Sequence, residues 1–373
     1  MKHDESMIST PRNRRSFLKT GLAAAGATVG ASLLAHGTTA FAQLTGSGNG
    51  LTAGDIAILQ FLAAGEAIEA DFYTQYNELG GIRDSEEQDG SGNRTYTEKL
   101  RRIDRDFPQY LHDITDDEKS HQNFLNAYLV SQGAAPVDME PFRTLPGSTA
   151  TGSSGKLRLT NLMKLTVDTS WWTRYRSSTN NPDVNPTMFA QAVPDLHNGQ
   201  FTAIPRTDDD LFPDKHIQAI ANTAAFHIPT VEQGGGSLRL ALAQRATSVE
   251  VLRLLISMGP IELLHFQTWS KLDGNVPPLT DPTNGLTFPD LNIGRGPSVI
   301  EMFQTNLILP EPCPFISTSL PACSVVRPTN TNGVAMGALK FLTAMGLFIG
   351  QSDAFFTFMT NLAEAADAAQ REV

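Results

Sequence analysis

The chain contains the four-residue pattern Glu-x-x-His twice, at Glu118–His121 and at Glu262–His265. Residues three positions apart lie on one face of a helix, so the Glu and the His of each pattern can bind one metal ion together. Another Glu precedes each pattern on an earlier segment, Glu69 before the first and Glu232 before the second. A carboxylate plus Glu-x-x-His, supplied twice, is the ligand set of a di-metal site inside a four-helix bundle. The two patterns therefore predict an all-α bundle with two metal ions in its core.

The residues around these patterns have the periodicity of helices that bury one face. Along three segments, core positions recur at steps of three and four residues. These positions are Leu59, Leu62, Glu66, Glu69, Tyr73 and Tyr76 on the first segment, Phe107, Leu111, Ile114, Glu118, His121, Leu125 and Tyr128 on the second, and Val251, Leu255, Met258, Glu262, His265, Trp269 and Leu272 on the third. A carboxylate on such a stripe is costly to bury unless it is paired or bound to a metal. The periodicity therefore favours metal ligation.

Two of the candidate ligands have alternatives in the sequence. Glu66 lies on the same stripe as Glu69 and competes with it for the ligand position. The segment Thr115–Glu118 is also a capping box, in which Glu118 would only satisfy a backbone amide at a helix start. The stripe continues upstream to Phe107, however, which favours a helix that begins earlier and leaves Glu118 as a ligand.

Residues that disfavour helices lie beside the other two ligand segments. Glu232 is followed by Gly234–Gly236, and each Gly inside a helix costs about 1 kcal/mol relative to Ala. That cost indicates either a close approach of another element or a π-bulge; alternatively, the glycines end the helix near Glu232. Pro260 precedes Glu262–His265 and removes one helix hydrogen bond, which can bend the helix before the ligands. For His265, a core histidine that is only hydrogen-bonded to a helix remains the alternative.

The first 42 residues have the features of an export signal. Asn13–Lys19 matches the twin-arginine motif, an apolar run over Gly21–Ala35 follows it, and Ala40–Ala42 is a small-x-small cleavage site. The apolar run is shorter than the roughly 20 residues that a membrane span requires. We therefore expect the twin-arginine export machinery to deliver a periplasmic or secreted protein, cleaved after Ala42 and without a membrane span. This route carries folded proteins, so a metal can be bound before export.

The charge of the mature chain limits its partners. The whole chain has a formal net charge of −11, and loss of the five basic and two acidic residues of 1–42 makes it −14. A strongly acidic protein is a poor ligand for nucleic acids and for anionic membranes. Roughly 330 residues remain, which is enough for a large core in one domain. The composition therefore fits an exported protein whose partners are small molecules.

The chain has two cysteines, Cys313 and Cys323, in a proline-rich stretch. In an oxidising compartment we expect them to form a disulfide that closes a short loop, worth about 3 kcal/mol by loop entropy. A thiolate metal or redox pair would need closer spacing or neighbouring histidines, and the sequence has neither.

Helix signals and breakers divide the rest of the chain. The predicted helices cover 52–79, 97–132 with an interruption at Pro108, 159–176, 215–246, 247–272, 298–309, and 334–371 as one helix or a broken pair. The segment 82–95 is polar and rich in Gly, which predicts an exposed loop. We expect one domain over 43–373, with irregular insertions at about 134–213 and 273–332 and an extra C-terminal helix.

Two segments resemble a known family. Gly65–Tyr73 resembles the first-helix signature of exported ferritin-like proteins related to the desiccation-related family, and Asp117–His121 resembles the second-helix Glu-x-x-His of that family. The resemblance implies a four-helix bundle with a di-iron or di-manganese site. It also implies that the first-helix ligand is Glu69. Tyr73 follows one turn later, where it can act as a radical or hydrogen-bonding side chain beside the metals.

The ligand types indicate the chemistry. Carboxylates with only two imidazoles suit iron or manganese better than copper, and two ions about 4 Å apart can jointly activate a bound oxidant. We therefore expect a di-metal oxidoreductase that acts on O2, peroxide or Fe(II) in stress protection. A manganese-catalase-like activity would use the same ligands. The alternative is a non-enzymatic, desiccation-related structural or binding protein, because the long proline-rich loops at 177–213 and 310–332 suit recognition.

Overall fold

The first helix, α1 (Ala53–Gly80), begins at a reciprocal cap. The amide of Asp55 donates to Thr52 Oγ1 at 3.1 Å, and the amide of Thr52 donates to Asp55 Oδ2 at 3.3 Å. The extended backbone of Gly81 ends the helix, which confirms both predicted ends to within a residue. The computed structural model describes residues 50–82, 92–175, 189–291, 310, 312–313, 315–325 and 331–372.

The next helical stretch is two helices, α2 (Arg94–Ile103) and α3 (Phe107–Ser131). Asp104 has an extended backbone and ends α2. Pro108 lies in the first turn of α3, where its missing amide hydrogen costs nothing. Because α3 begins at Phe107, Glu118 lies in the middle of a helix and is not its capping residue.

One short helix and an extended stretch replace the predicted helix at 159–176. Only α4 (Ser170–Arg174) is helical there, followed by α5 (Pro194–Asn198). The amides of Leu159 and Thr160 donate to the carboxylate of Asp71 at 3.0 and 2.9 Å, and Leu165 pairs with Phe201 in an isolated β-bridge. This part of the prediction was wrong because tertiary partners take the backbone groups that a helix would have used. The 3₁₀ turns are Glu140–Phe142, Asp208–Leu211 and Asp273–Asn275.

The second half of the bundle is α6 (Asp214–Ala243) and α7 (Val249–Leu272), as predicted. The hydroxyl of Ser248 caps α7 by accepting from the amides of Glu250 and Val251. Pro229 and Pro260 lie inside these helices, and α6 stays helical through its three consecutive glycines. The alternative in which the glycines end the helix is therefore wrong.

Four helices form the bundle, in which α1 packs against α3 and α6 packs against α7. Contacts between α1 and α6, such as Arg239 with Glu66, join the two pairs. Large aromatic side chains, including Tyr73, Phe107 and Trp269, are fully buried between them. Two short strands, β1 (Leu279–Thr280) and β2 (Thr287–Phe288), pair antiparallel outside the bundle. The fold is the predicted all-α bundle.

Two further helices follow, α8 (Val334–Ala344) and α9 (Asp353–Ala368). Helix α9 packs against α1 and against α8. The break between them includes Gly346, which has φ +90° and whose added Cβ would lie 2.4 Å from the carbonyl oxygen of Lys164. A side chain is therefore excluded there for two reasons, and the broken-pair prediction is confirmed.

The predicted disulfide does not form. Cys313 is buried, with only 7% of its surface exposed, and it pairs with Ser317 in a β-bridge. Cys323 is exposed and its thiol contacts the carbonyl oxygen of Ser324 at 3.8 Å. The local turn after Cys313 gives the two thiols different environments, which their sequence spacing does not reveal.

Three predictions concern residues that the structure does not describe. The export signal of residues 1–42, the helix at 298–309 and most of the loop at 82–95 lie outside the described residues. Among the helices that are described, none has both the length and the hydropathy of a membrane span.

Candidate metal centre

Carboxylates and imidazoles from all four bundle helices converge at the centre of the bundle. They form two groups, and within each group one ligand atom per residue lies within 4.8 Å of the others. The first group is Glu66, Glu118, His121 and Glu262, and the second is Glu118, Glu232, Glu262 and His265. Glu118 and Glu262 belong to both groups. Each group could hold a metal ion, and the two groups share two carboxylates.

The helical spacing explains how each pair reaches the centre. Glu118 and His121 lie one turn apart on α3, and His121 Nδ1 is 3.5 Å from Glu118 Oε2 and 3.3 Å from Glu262 Oε1. On α7, His265 Nδ1 lies 3.0 Å from Glu118 Oε1 and 4.0 Å from Glu262 Oε2. Each imidazole thus faces carboxylates of both Glu-x-x-His patterns. The sequence alone predicts only the contact between the Glu and the His of the same pattern.

Many of the possible ligand atoms in this cluster are buried and form no hydrogen bond, although imidazole nitrogens and carboxylate oxygens lie close to one another. The carboxylates of the two groups are at most 1% exposed as residues. Among the described residues, the following buried atoms have no hydrogen-bond partner: Glu66 Oε2, both oxygens of Glu118, His121 Nδ1, Glu232 Oε2, both oxygens of Glu262, and His265 Nδ1. Native interiors rarely leave such atoms unsatisfied. Metal ions would satisfy all of them, and a donor set of four carboxylates and two imidazoles fits iron or manganese.

The crowded charges change the pKa values of these groups. Burial raises the pKa of Glu118 to about 7, against the opposing effect of His121 and His265. Burial likewise raises the pKa of Glu262 to about 8, although Arg239 opposes it. For Glu66 burial is outweighed by Arg239 and His121, which lower its pKa to about 2. In the absence of metal, protons and Arg239 therefore balance charge that divalent cations would otherwise balance.

Glu69, which the sequence and the family resemblance favoured as the first-helix ligand, lies outside both groups. Glu66 belongs to the first group instead. Glu69 Oε2 accepts from Arg239 Nη2 at 2.8 Å, and the same guanidinium binds Glu66 Oε1 at 2.6 Å and lies 3.2 Å from Glu262 Oε1. Arg239 was missed in the sequence, although it lies two helical turns after Glu232 and so shares its face.

The glycines of α6 make room for this ion cluster. A Cβ at Gly235 would lie 2.9 Å from Arg239 Nη1, 3.2 Å from Glu69 Oε1 and 3.4 Å from Glu262 Oε2. A Cβ at Gly236 would lie 2.8 Å from a methyl carbon of Leu263 on α7. Close approach, one of the two functional interpretations of the glycine run, is therefore confirmed; α6 has no π-bulge here.

Tyr73 lies beside the second group and is fully buried. Its hydroxyl donates a hydrogen bond to Glu232 Oε1 and accepts one from Trp269 Nε1 at 2.9 Å. Burial and the charge of Glu232 raise the pKa of Tyr73 well above its usual value, so the phenol stays protonated and remains a donor. The hydrogen bonds from Trp269 to Tyr73 and from Tyr73 to Glu232 fix one carboxylate oxygen of Glu232 and leave the other facing the cluster.

Asp117 orients His265 from the outside. His265 Nε2 lies 3.3 Å from Asp117 Oδ2, and the Asp117 side chain is 54% exposed. A carboxylate on the outer nitrogen holds a histidine with its other nitrogen toward a metal. Sequence reasoning missed this role, although Asp117 directly precedes Glu118.

Two other buried histidines, His216 and His227, lie outside the two groups. His216 Nδ1 is 2.7 Å from Asp281 Oδ2, and its Nε2 is 3.3 Å from Asp210 Oδ1. His227 Nδ1 is 2.8 Å from the hydroxyl of Tyr76. These contacts join α6 to its neighbours and are structural.

Comparison with known proteins agrees with this geometry. A search of curated proteins and a search of solved structures found no match. A family model described as the ferritin-like domain matches residues 54–269, more than half of the chain. This span contains nearly all of the four bundle helices and every residue of the two groups. The chain therefore belongs to the ferritin-like domain family.

Proposed function

We propose that this protein binds two iron or manganese ions and uses them to react with O2, peroxide or Fe(II). The observation that carries the proposal is the set of buried carboxylate and imidazole atoms that form no hydrogen bond at the meeting point of the four helices. The proposed ligands are Glu66, Glu118, His121, Glu232, Glu262 and His265, which differ from the set expected from the sequence by Glu66 in place of Glu69.

Two such ions, when bound, supply Lewis acidity and two electrons for the reduction of O2 or peroxide. The chain contributes the surroundings. Glu118 and Glu262 belong to both groups and hold the two positions close together. The phenol of Tyr73 keeps its proton at Oη and orients Glu232 by donating to it. Burial of the carboxylates excludes bulk water, which strengthens every charge interaction inside the site.

Elemental analysis of natively produced protein, combined with its optical spectrum, tests the proposal. We expect two Fe or Mn ions per chain, and either peroxide decomposition or Fe(II) oxidation by the loaded protein. Peroxide decomposition by the manganese form would select the catalase-like activity. Protein that contains no Fe or Mn and binds neither on reconstitution would refute metal binding, and full occupancy without either activity would favour a structural or binding role.

We also propose that the protein works outside the cytoplasm, after export by the twin-arginine route, in protection against oxidative or desiccation stress. The support is the motif around Arg14 and Arg15, followed by an apolar run and a cleavage site. Export in the folded state suits a protein whose buried site must be filled before secretion.

Replacing Arg14 and Arg15 together by Lys should block export. The exchange keeps the positive charge but removes the paired guanidinium groups of the motif. Cell fractionation with an immunoblot should find the uncleaved precursor in the cytoplasm. A matched variant with Lys2→Arg, outside the motif, should be exported normally; periplasmic delivery of the double variant would contradict the export proposal.

A further inference from the structure

The guanidinium of Arg239 lies inside the carboxylate cluster and is not one of the proposed metal ligands. The Arg239 side chain is only 3% exposed, and its Nη2 lies 2.6 Å from Glu66 Oε1, 2.8 Å from Glu69 Oε2 and 3.2 Å from Glu262 Oε1. A buried guanidinium needs compensating carboxylates. Two of these three carboxylates, Glu66 and Glu262, are proposed metal ligands, so Arg239 links the metal centre to Glu69.

The contacts show which oxygen of Glu66 is left for a metal. Arg239 Nε and Nη2 both donate to Glu66 Oε1, at 3.2 and 2.6 Å. The other oxygen, Oε2, has no hydrogen bond and lies 3.5 Å from His121 Nδ1. The guanidinium therefore fixes the rotation of this carboxylate and turns Oε2 toward the first metal position.

The charges match when Arg239 is counted. Five buried carboxylates meet here, and a divalent ion at each of the two positions together with Arg239 would supply five positive charges if the imidazoles are neutral. In this arrangement the charges of Glu69 and Arg239 balance each other. Glu69 is the carboxylate that pairs with Arg239 because it belongs to neither metal group, and its side chain is the most exposed of the five, at 12%.

We propose that Arg239 is a positioning residue for the metal centre and that Glu69 is its counter-ion. The pair turns Glu66 Oε2 toward the metals and leaves four carboxylate charges to match two divalent ions. This inference rests on the proposed function and assigns a role to two residues that do not bind metal.

Three variants separate a counter-ion from a ligand: Glu69→Gln, Arg239→Gln, and the two combined. Glu69→Gln should keep two ions per chain but weaken Mn²⁺ binding by about 10- to 100-fold, the range for residues that orient ligands, because it leaves an unbalanced cation beside the site. The double variant removes both charges, and its Mn²⁺ affinity should be at least about tenfold higher than that of Glu69→Gln. Mn²⁺ titration followed by electron paramagnetic resonance measures both the affinity and the number of ions bound per chain. If Glu69 is a ligand, Glu69→Gln will bind fewer ions and the second change will not restore them.

Thermal unfolding in the presence of a chelator gives a readout that does not depend on metal. Arg239→Gln should lower the Tm of the metal-free protein, because it leaves Glu66 and Glu69 buried without a cation. Adding Glu69→Gln should raise the Tm again, and Arg239→Lys should lower it less than Arg239→Gln. Equal Tm losses in Arg239→Gln and in the double variant would overturn the pairing.

Arg158→Gln is the matched control. Arg158 forms another buried ion pair, with Glu78, away from the metal groups. This change should lower the Tm without altering Mn²⁺ affinity. Wild-type protein that binds no metal would refute the proposed function while leaving the Tm test of the pair intact; wild-type protein with two ions, but a double variant without recovery, would refute only the inference.

Discussion

Replacing Glu262 by Gln is expected to remove both metal ions, whereas His121→Ala is expected to remove only one. Glu262 belongs to both groups, so loss of its charge weakens both positions. His121 belongs to the first group alone, and all four members of the second group remain in its absence. By the same reasoning, His265→Ala should spare the first ion. The variants therefore test the shared-ligand geometry and not only the presence of metal.

The measurement is metal content per chain after reconstitution and desalting, followed by assays of peroxide decomposition and Fe(II) oxidation. Both activities should fall by more than about 100-fold in all three variants, because changes to residues that merely orient ligands already cost about 10- to 100-fold and the chemistry uses both ions. Glu262→Gln keeps the side-chain volume, which limits any effect on packing.

The control is His197→Ala. His197 is exposed on the short helix α5, outside both metal groups. His216 is unsuitable as a control, because it is buried between Asp210 and Asp281 and its replacement would change stability. Two ions retained by Glu262→Gln, or none by His121→Ala, would contradict the assignment of shared and unshared ligands.

Loading the metal-free protein with Mn²⁺ is expected to raise its Tm by about 15 °C. At a free metal concentration 1,000 times the Kd, each site adds about 4 kcal/mol to the free energy of unfolding. Two sites thus add about 8 kcal/mol, and each kcal/mol shifts the Tm of a large domain by about 2 °C. The physical origin is the set of buried carboxylate oxygens that form no hydrogen bond in the metal-free structure.

Differential scanning calorimetry with and without Mn²⁺ measures this shift, with Mg²⁺ at the same concentration as a test for general ionic effects. Glu262→Gln should show little or no shift, and His197→Ala should behave as wild type. A wild-type Tm that does not respond to Mn²⁺ or Fe²⁺ would mean that the cluster is satisfied by protons and Arg239 alone.

The long helices are the part of the fold that the sequence predicts best. Periodicity over α3 and α7 predicted which faces are buried, because a 3.6-residue repeat places those positions on one side of a helix whatever it packs against. The same repeat brings Glu118 with His121, and Glu262 with His265, onto that side. Helix α1 is buried on nearly all sides, so its stripe is only part of its buried surface. The helix predicted from periodicity at 159–169 was wrong, because Asp71 and Phe201 bind the backbone there from distant parts of the chain. The predicted disulfide between Cys313 and Cys323 is also absent, with Cys313 buried and Cys323 exposed.

By itself, the sequence determined the four bundle helices and the inward direction of both Glu-x-x-His pairs, because local helix geometry is sufficient for both. Only the tertiary structure places Glu66, and not Glu69, in a group that could hold a metal ion. These residues are three positions apart on one buried stripe, so helical periodicity treats them alike. Their different positions depend on α6, where Gly235 leaves room for Arg239 to bind Glu69 and to turn one oxygen of Glu66 toward the metal groups. That choice rests on the contact between two helices about 170 residues apart in the chain, which no local pattern in either helix contains.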